Sequence, residues 1–321
     1  MIMRKLAAVS VAVLAALGGL SPAAQAVDSH WAGAPVVVTD QASRRVLVLD
    51  SGVSKWDARS VRWSFSPDKD PRYADLNPAK SWTNVSDAKE RWLWGRTYLL
   101  TTTSAGFAAV VRYPSGEPYW AAYTGPTNLH SIELLPDGNV AVTASTAGFV
   151  RLYAASQGVR STKYAEVKLK GGHGLQWDPF RRVLWALGDD ELLALRIGGS
   201  RAVPELTVAD RIALPSQGGH DLTQVVWNPD RLWVTTNSQV YQFSKAQKKF
   251  LQDYPSEINR GGVKSIGEEP LTGQVLSAAP EPGHPCTWCS TKVQTYRPAG
   301  EYTLDGGGIY KARWWWPSIV F

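Results

Sequence analysis

Gly171-Gly172-His173-Gly174-Leu175-Gln176-Trp177-Asp178-Pro179 is followed by the apolar run Val183-Leu184-Trp185-Ala186-Leu187 and then by Gly188-Asp189. By itself the stretch reads as a short strand, a tight turn at Asp178-Pro179 and a second, buried strand. It recurs along the chain. Asn128-Leu129-His130-Ser131-Ile132-Glu133-Leu134-Leu135-Pro136-Asp137-Gly138 leads into Val140-Ala141-Val142, and Gly218-Gly219-His220-Asp221-Leu222 leads towards Leu232-Trp233-Val234. Gly262-Val263-Lys264-Ser265-Ile266-Gly267-Glu268-Glu269-Pro270 leads into Gln274-Val275-Leu276. In three copies a proline follows the basic residue by six positions, from His130 to Pro136, His173 to Pro179 and Lys264 to Pro270. His130, His173, His220 and Lys264 are separated by 43, 47 and 44 positions. A period of about 40–50 residues with several strands per unit is the sequence signature of propeller blades.

Extending the period outward gives an all-β, six-bladed β-propeller. Pro35-Val36-Val37-Val38-Thr39-Asp40, Arg45-Val46-Leu47-Val48-Leu49-Asp50 and Val61-Arg62-Trp63-Ser64-Phe65 read as three strands, and residues 66–86 as an inserted loop. A second unit starts at Asp87-Ala88-Lys89, with Lys89 placed 41 residues before His130 and so in phase with it. Units three to six start at His130, His173, His220 and Lys264, and Tyr310-Lys311-Ala312-Arg313-Trp314 reads as a closing strand brought back beside the earlier blades. Between His220 and Pro229 there are nine steps instead of six, so the fifth inner strand is expected to be longer or bulged. The strands are nearly continuous apolar runs, as sheets covered on both faces require. A β-sandwich would show alternation and no such register.

The first 26 residues are expected to be an export signal. Arg4-Lys5 forms the charged start, residues 6–20 the apolar segment and Ala24-Gln25-Ala26 the cleavage site, leaving residues 27–321 as one propeller domain. About 15 apolar residues are too few to span a bilayer. The protein should therefore be secreted, with no membrane span, and monomeric. The net charge is +6 and Lys or Arg never cluster in a run, which disfavours nucleic acid as a partner. The two cysteines, Cys286 and Cys289, sit in His284-Pro285-Cys286-Thr287-Trp288-Cys289. In an oxidising compartment they are expected to pair as a disulfide; metal ligation with His284 is the alternative.

Propeller geometry places the head of each innermost strand near the axis, on the face that carries the crossover loops. Lys89, His130, His173, His220 and Lys264 are expected there, ringed by the ends of the second strands at Asp40, Ser104, Ser145, Asp189, Asn237 and Glu281, with Trp288 on the same face. Titratable groups buried unpaired at an axis would cost several kcal/mol. Their phased recurrence therefore points to a functional cluster. Three imidazoles could hold a divalent ion such as Zn, Mn or Ca, and the flanking lysines suit an anionic ligand, together suggesting an acidic carbohydrate bound through its carboxylate. His130, His173 and His220 would then be catalytic as well as metal-binding, in a metal-dependent polysaccharide lyase where an imidazole removes a carbon-bound proton. The competing function is a non-catalytic ligand-binding or scaffold propeller with an ion or anion in its channel. Neither G-x-S-x-G nor H-E-x-x-H occurs.

His-Ser-Ile-Glu-Leu-Leu-Pro at 130–136, Gly-His-Gly at 172–174, Trp185-Ala186-Leu187-Gly188, Gly-His-Asp at 219–221 and Tyr-Lys-Ala-Arg-Trp at 310–314 resemble a family of exported bacterial six-bladed propellers without an assigned activity. The resemblance covers nearly the whole mature chain and implies the fold but no reaction. More distantly, axial histidines are similar to those of oligogalacturonate-lyase-type propellers, an analogy of fold and not of demonstrated chemistry.

Overall fold

Runs such as Val36–Asp40 and Val140–Ala144 bury every residue. That pattern demands a sheet covered on both sides, and the computed structural model, which describes residues 33–316 and 318–319, meets the demand with six sheets packed face to face. Each contains four antiparallel strands in the order of a propeller blade, from the axis outwards. Blade 1 runs Ile309–Trp314, Val36–Asp40, Arg45–Leu49, Val61–Phe65. Blade 2 runs Val85–Leu93, Arg96–Thr103, Phe107–Arg112, Pro118–Tyr123, and blade 3 Leu129–Leu134, Val140–Ala144, Phe149–Tyr153, Tyr164–Lys168. Blades 4, 5 and 6 have Gly174–Asp178, Asp221–Gln224 and Ser265–Glu268 as their innermost strands. The innermost strands touch in cyclic order, with Ile309–Trp314 meeting both Ser265–Glu268 and Val85–Leu93.

Closure is made by two distant parts of the chain. Ile309–Trp314 pairs antiparallel with Val36–Asp40, setting Val38 against Ala312 and Val36 against Trp314. Blade 1 therefore takes its innermost strand from one end of the propeller and its other three from the other, as the sequence led one to expect. Two short parallel pairings add to this: Lys55–Trp56 lies along Gly300–Leu304 of blade 6, and residues 318–319 lie beside Arg91 and Trp92 of blade 2.

Two expectations need correction. Residues 66–86 are more than a loop: they form a 3-10 turn at Pro71–Leu76 and a short helix at Pro78–Ser81. They close with the start of the blade 2 innermost strand. Their aromatic groups explain the order, since Tyr73 Oη donates to the Gly116 carbonyl at 2.7 Å and Trp82 Nε1 donates to the Arg44 carbonyl at 2.7 Å. Trp82 also packs edge-on against Phe65 and Phe107. The fifth inner strand is not lengthened either, and its extra residues are not a bulge within it. It stops at Gln224, and the extra residues form a wide turn before Arg231, held by Gln224 Nε2 donating to the carbonyls of Val225, Asn228 and Arg231. The expected export signal lies outside the described residues, and among those no helix is long and apolar enough to cross a membrane.

Removing residues 309–321 would strip blade 1 of its innermost strand and expose the Val36–Asp40 edge. The cooperative thermal transition should be lost, which calorimetry of the truncated protein checks; a sharp transition at an unchanged temperature would contradict this account of closure.

Candidate functional site: the axial channel

Each innermost strand begins with the same irregularity. In blades 1, 2 and 3 the register slips at its head, between Val38 and Asp40, Val85 and Asp87, and Thr143 and Ala144. In blades 4, 5 and 6 the N–H groups of His173, His220 and Lys264 donate to the carbonyls of Leu187, Thr235 and Ala278. Those residues are also the partners of the next residues along, Gly174, Asp221 and Ser265. Such a bulge re-aims the extra side chain. The re-aimed residues are Tyr310, Ser86, His130, His173, His220 and Lys264. The glycine of the Gly-His pair in blade 5 has a packing reason, because a Cβ on Gly219 would lie 2.2 Å from the Gly188 carbonyl oxygen of blade 4.

Five of these six residues meet at one end of the channel. The His130 and His173 rings stack at 4.1 Å and 23°, and the His173 and His220 rings meet edge to face at 5.4 Å. Tyr310 Oη lies 3.1 Å from His130 Nδ1. Lys264 Nζ lies 2.8 Å from His220 Nε2, which is also 2.7 Å from Asn237 Oδ1. His173 Nδ1 donates to the Gly171 carbonyl at 2.7 Å. Buried His220 Nδ1 has no partner among the described residues.

Lys89 is not part of this group, contrary to the sequence reading. Strand pairing makes Ser86 the blade 2 counterpart, 44 positions before His130, and Lys89 sits three positions deeper. Its ammonium is fully buried, donating to Ser131 Oγ at 3.1 Å and to the Leu175 carbonyl at 2.6 Å, with Asp87 3.6 Å and Glu133 3.8 Å away. The missed member is Tyr310, 46 positions after Lys264. Carrying the period one step further would have found it.

Beneath the imidazoles lies a layer that the sequence reading also missed. Lys311 Nζ reaches the carbonyl oxygens of His130, His173 and His220 at 3.3, 3.5 and 3.4 Å and Asp221 Oδ1 at 3.0 Å. Arg313 bridges blades, donating to both Asp221 oxygens at 2.9 and 2.7 Å and to Asp87 Oδ1 at 3.0 Å. Arg91 makes a two-pronged pair with Glu133 at 2.7 Å. The small and acidic residues that follow the phased ones, Asp87, Ser131, Asp221 and Ser265, carry these bonds from blade to blade. Asp87 Oδ2 accepts from Ser131 Oγ, Asp221 Oδ2 from the Ile266 N–H, and Ser265 Oγ from the Ala312 N–H.

Electrostatics at the two levels are opposite in kind. Burial is the main force lowering all three histidines, helped by Lys264 or Lys311, so His173 falls to about 4, His220 to about 3 and His130 well below its ordinary value. Lys264 is lowered to about 8, first by burial and then by Lys311. The rings are therefore neutral at pH 7 while Lys264 remains cationic. In the layer below, burial would raise Asp87 and Asp221, but the surrounding Lys and Arg groups outweigh it and hold both below the ordinary carboxylate range.

The other expected residues divide. Asn237 joins the cluster, and Asp189 lends His173 a weak favourable field while its carboxylate pairs with Lys170 at 2.9 Å. Ser104 and Ser145 tie crossover loops together through their backbone. Asp40 accepts from the Gly308 N–H at 2.7 Å, Glu281 accepts from Thr291, and exposed Trp288 donates to Gln41 Oε1 at 3.0 Å. These three are committed to loop structure. Cys286 and Cys289 form the expected disulfide. Among the described residues the one trio of His, Cys, Asp or Glu with ligand atoms within 4.8 Å of one another is His284, Cys286 and Cys289, whose sulfurs are bonded to each other. Ring nitrogens bind a metal in the ring plane, so the near-parallel His130 and His173 do not aim at a common point. Lys264 also occupies the neighbourhood of His220 Nε2. The three rings therefore do not converge on one point as metal ligands would.

A closed ring of six blades with charged groups along its axis is a six-bladed β-propeller. The chain belongs to DUF6528, a family of unknown function that matches residues 23–319. No curated protein sequence matches it. Among solved structures it is similar to a protein of unknown function from Bacteroides caccae, at 8% identity and TM-score 0.53, covering 82% of this chain and 90% of that one. It is also similar to a chain of the Mitotic Checkpoint Complex, at 12% identity and TM-score 0.52, covering 89% and 85%. At these identities the likeness concerns the fold alone.

Two measurements follow from this geometry. Arg313→Leu removes the guanidinium that Asp87 and Asp221 share and leaves them only Lys311 as a cation near both, and urea denaturation should register a loss of about 3–5 kcal/mol. Acid should destabilise the protein below neutrality. Between the ordinary histidine value of 6.5 and about 4, the unfolded chain takes up a proton that folded His173 refuses, so stability falls with pH. The depressed Asp87 and Asp221 add to the fall at lower pH, as their stabilisation is lost on protonation. Replacing His173 with Gln should flatten the slope in that window by up to about 1.4 kcal/mol per pH unit, read from melting curves.

Proposed function

We propose that the axial face bearing His130, His173, His220 and Lys264 binds a carboxylate-bearing ligand of the acidic, uronate-containing glycan class, on a protein that acts outside the cell. The observation that carries this reading is the state of Lys264. It is partly buried, and among the described residues its one hydrogen-bonding neighbour is the neutral His220 ring and no carboxylate pairs with it. A desolvated cation without a counter-charge is a site awaiting one. His220 Nδ1, buried without a partner, supplies a further polar atom to a bound anion. Binding is preferred to cleavage because rings held near 3 and 4 are weak bases at neutral pH, and a general base works best near the operating pH. Export is supported by the disulfide, which persists in oxidising surroundings, and by the signal-like start of the sequence.

Titration calorimetry with trigalacturonate tests the reading. Binding should weaken as pH rises through about 8, where Lys264 loses its proton, and Lys264→Ala should reduce affinity at least about tenfold. His173→Ala should weaken binding while leaving far-UV circular dichroism unchanged. Affinity that is flat between pH 6 and 9, or that is matched by an uncharged trisaccharide, would sink the proposal.

A further inference from the structure

The opposite end of the channel holds a cavity of about 310 Å³, remote in chemistry from the imidazole face. It is lined by the far ends of the innermost strands, including Glu90, Gln176, Thr223, Arg313 and Trp316. On the blade 2 side, residues 318–319 pair with Arg91 and Trp92 beside it. Its volume lies at the lower end of the range for small-molecule sites and is enough for one or two sugar rings. Two of the buried polar atoms that lack a partner belong to its lining, Glu90 Oε2 and Arg313 Nε. Gln176 commits its amide nitrogen to the Trp177 carbonyl and Thr223 its hydroxyl hydrogen to the Ile266 carbonyl, which leaves an acceptor oxygen on each. The lining thus mixes a donor with several acceptors, among them the carboxyl of Glu268, which accepts from the Val226 N–H and Trp233 Nε1, has no cationic partner among the described residues and is raised by burial. Lys89, Arg91 and Arg313 are all engaged by Asp87, Glu133 and Asp221. Glu90 is pushed by burial to about 7, so its carboxyl is a donor as well as an acceptor near neutrality.

Around this mouth the turns between innermost and second strands carry large apolar side chains in the open. Phe180 of blade 4 is 75% exposed, Trp227 of blade 5 and Leu271 of blade 6 are each 69% exposed, and Trp316 follows the closing strand at 41%. They stand on different turns, with Trp227 of blade 5 reaching Gly273 in the blade 6 turn that carries Leu271, and three of the four are aromatic rings. Exposed aromatic faces beside a cavity whose cations are all paired and whose carboxyl and amide oxygens accept match the two surfaces of a sugar, whose C–H face packs on a ring while its hydroxyls take hydrogen bonds. Here the geometry points to a second binding site, one for a neutral oligosaccharide, with a terminal sugar in the cavity against Glu90, Gln176 and Arg313 and the following sugar on Trp316.

The site is independent of the imidazole face, and its test keeps the two apart. Cellohexaose, maltohexaose and mannohexaose are titrated into the full chain, following tryptophan fluorescence and calorimetric heat. At least one should saturate below about 1 mM. Trp316→Ala, which removes an exposed ring and no core packing, should weaken it at least about tenfold; Glu90→Gln, of the same shape, should weaken it without a change in Trp316 exposure to quencher. Lys264→Ala should leave the affinity unchanged. The proposal is overturned if none of the three saturates by about 1 mM, if Trp316→Ala and Glu90→Gln bind like the parent, or if Lys264→Ala abolishes binding.

Discussion

Everything near the axis depends on the buried ion cluster formed by Lys311 and Arg313 with Asp87 and Asp221. Taking such ions out of water costs several kcal/mol each, and removing one partner leaves its counter-ion stranded. Here the cost is offset because each carboxylate oxygen finds donors: Asp87 Oδ1 from Arg313, Asp87 Oδ2 from Ser131 and Ile132, and Asp221 from Arg313, Lys311 and Ile266. Both cations lie on the strand that closes the ring. A slip of one residue in that strand would turn Lys311 and Arg313 away from the axis and carry apolar Ala312 into it. The same residues that close the propeller therefore fix its register.

The cluster also builds the face above it. One ammonium, that of Lys311, holds the three histidine carbonyls from three successive blades, and so sets the height at which the imidazoles stand. Its charge then acts upward as well, helping keep those rings neutral. Lys264 has no such layer of carboxylates to answer it. The difference between a satisfied interior and an unsatisfied rim is what separates structure from site in this channel.

The channel is asymmetric along its length. One mouth presents an unanswered cation among neutral rings; the middle is closed by ion pairs; the far mouth presents a cavity whose cations are paired and whose carboxyls, Glu90 and Glu268, have no cationic partner among the described residues. Two ends of different chemistry, isolated by a rigid middle, can take ligands of different charge without interfering.

Period and strand character were legible from the amino-acid order alone. The spacings of 43, 47 and 44 between His130, His173, His220 and Lys264, and the unbroken apolar runs between them, dictate repeated sheets buried on both faces. Closure by Tyr310 to Trp314 and the pairing of Cys286 with Cys289 were equally readable. Depth along the axis was not. Lys89 keeps a plausible spacing of 41 yet sits three positions too deep, because the bulge that starts each inner strand, and not residue type, decides which side chain is re-aimed. Nor could spacing reveal that Asp87 and Asp221, three blades apart in blades 2 and 5, share one guanidinium. That contact joins residues separated by 226 and 92 positions, and only the closed ring brings them within 3.0 Å of Arg313. Local order supplies the repeat; the geometry of a circle supplies the contacts across it.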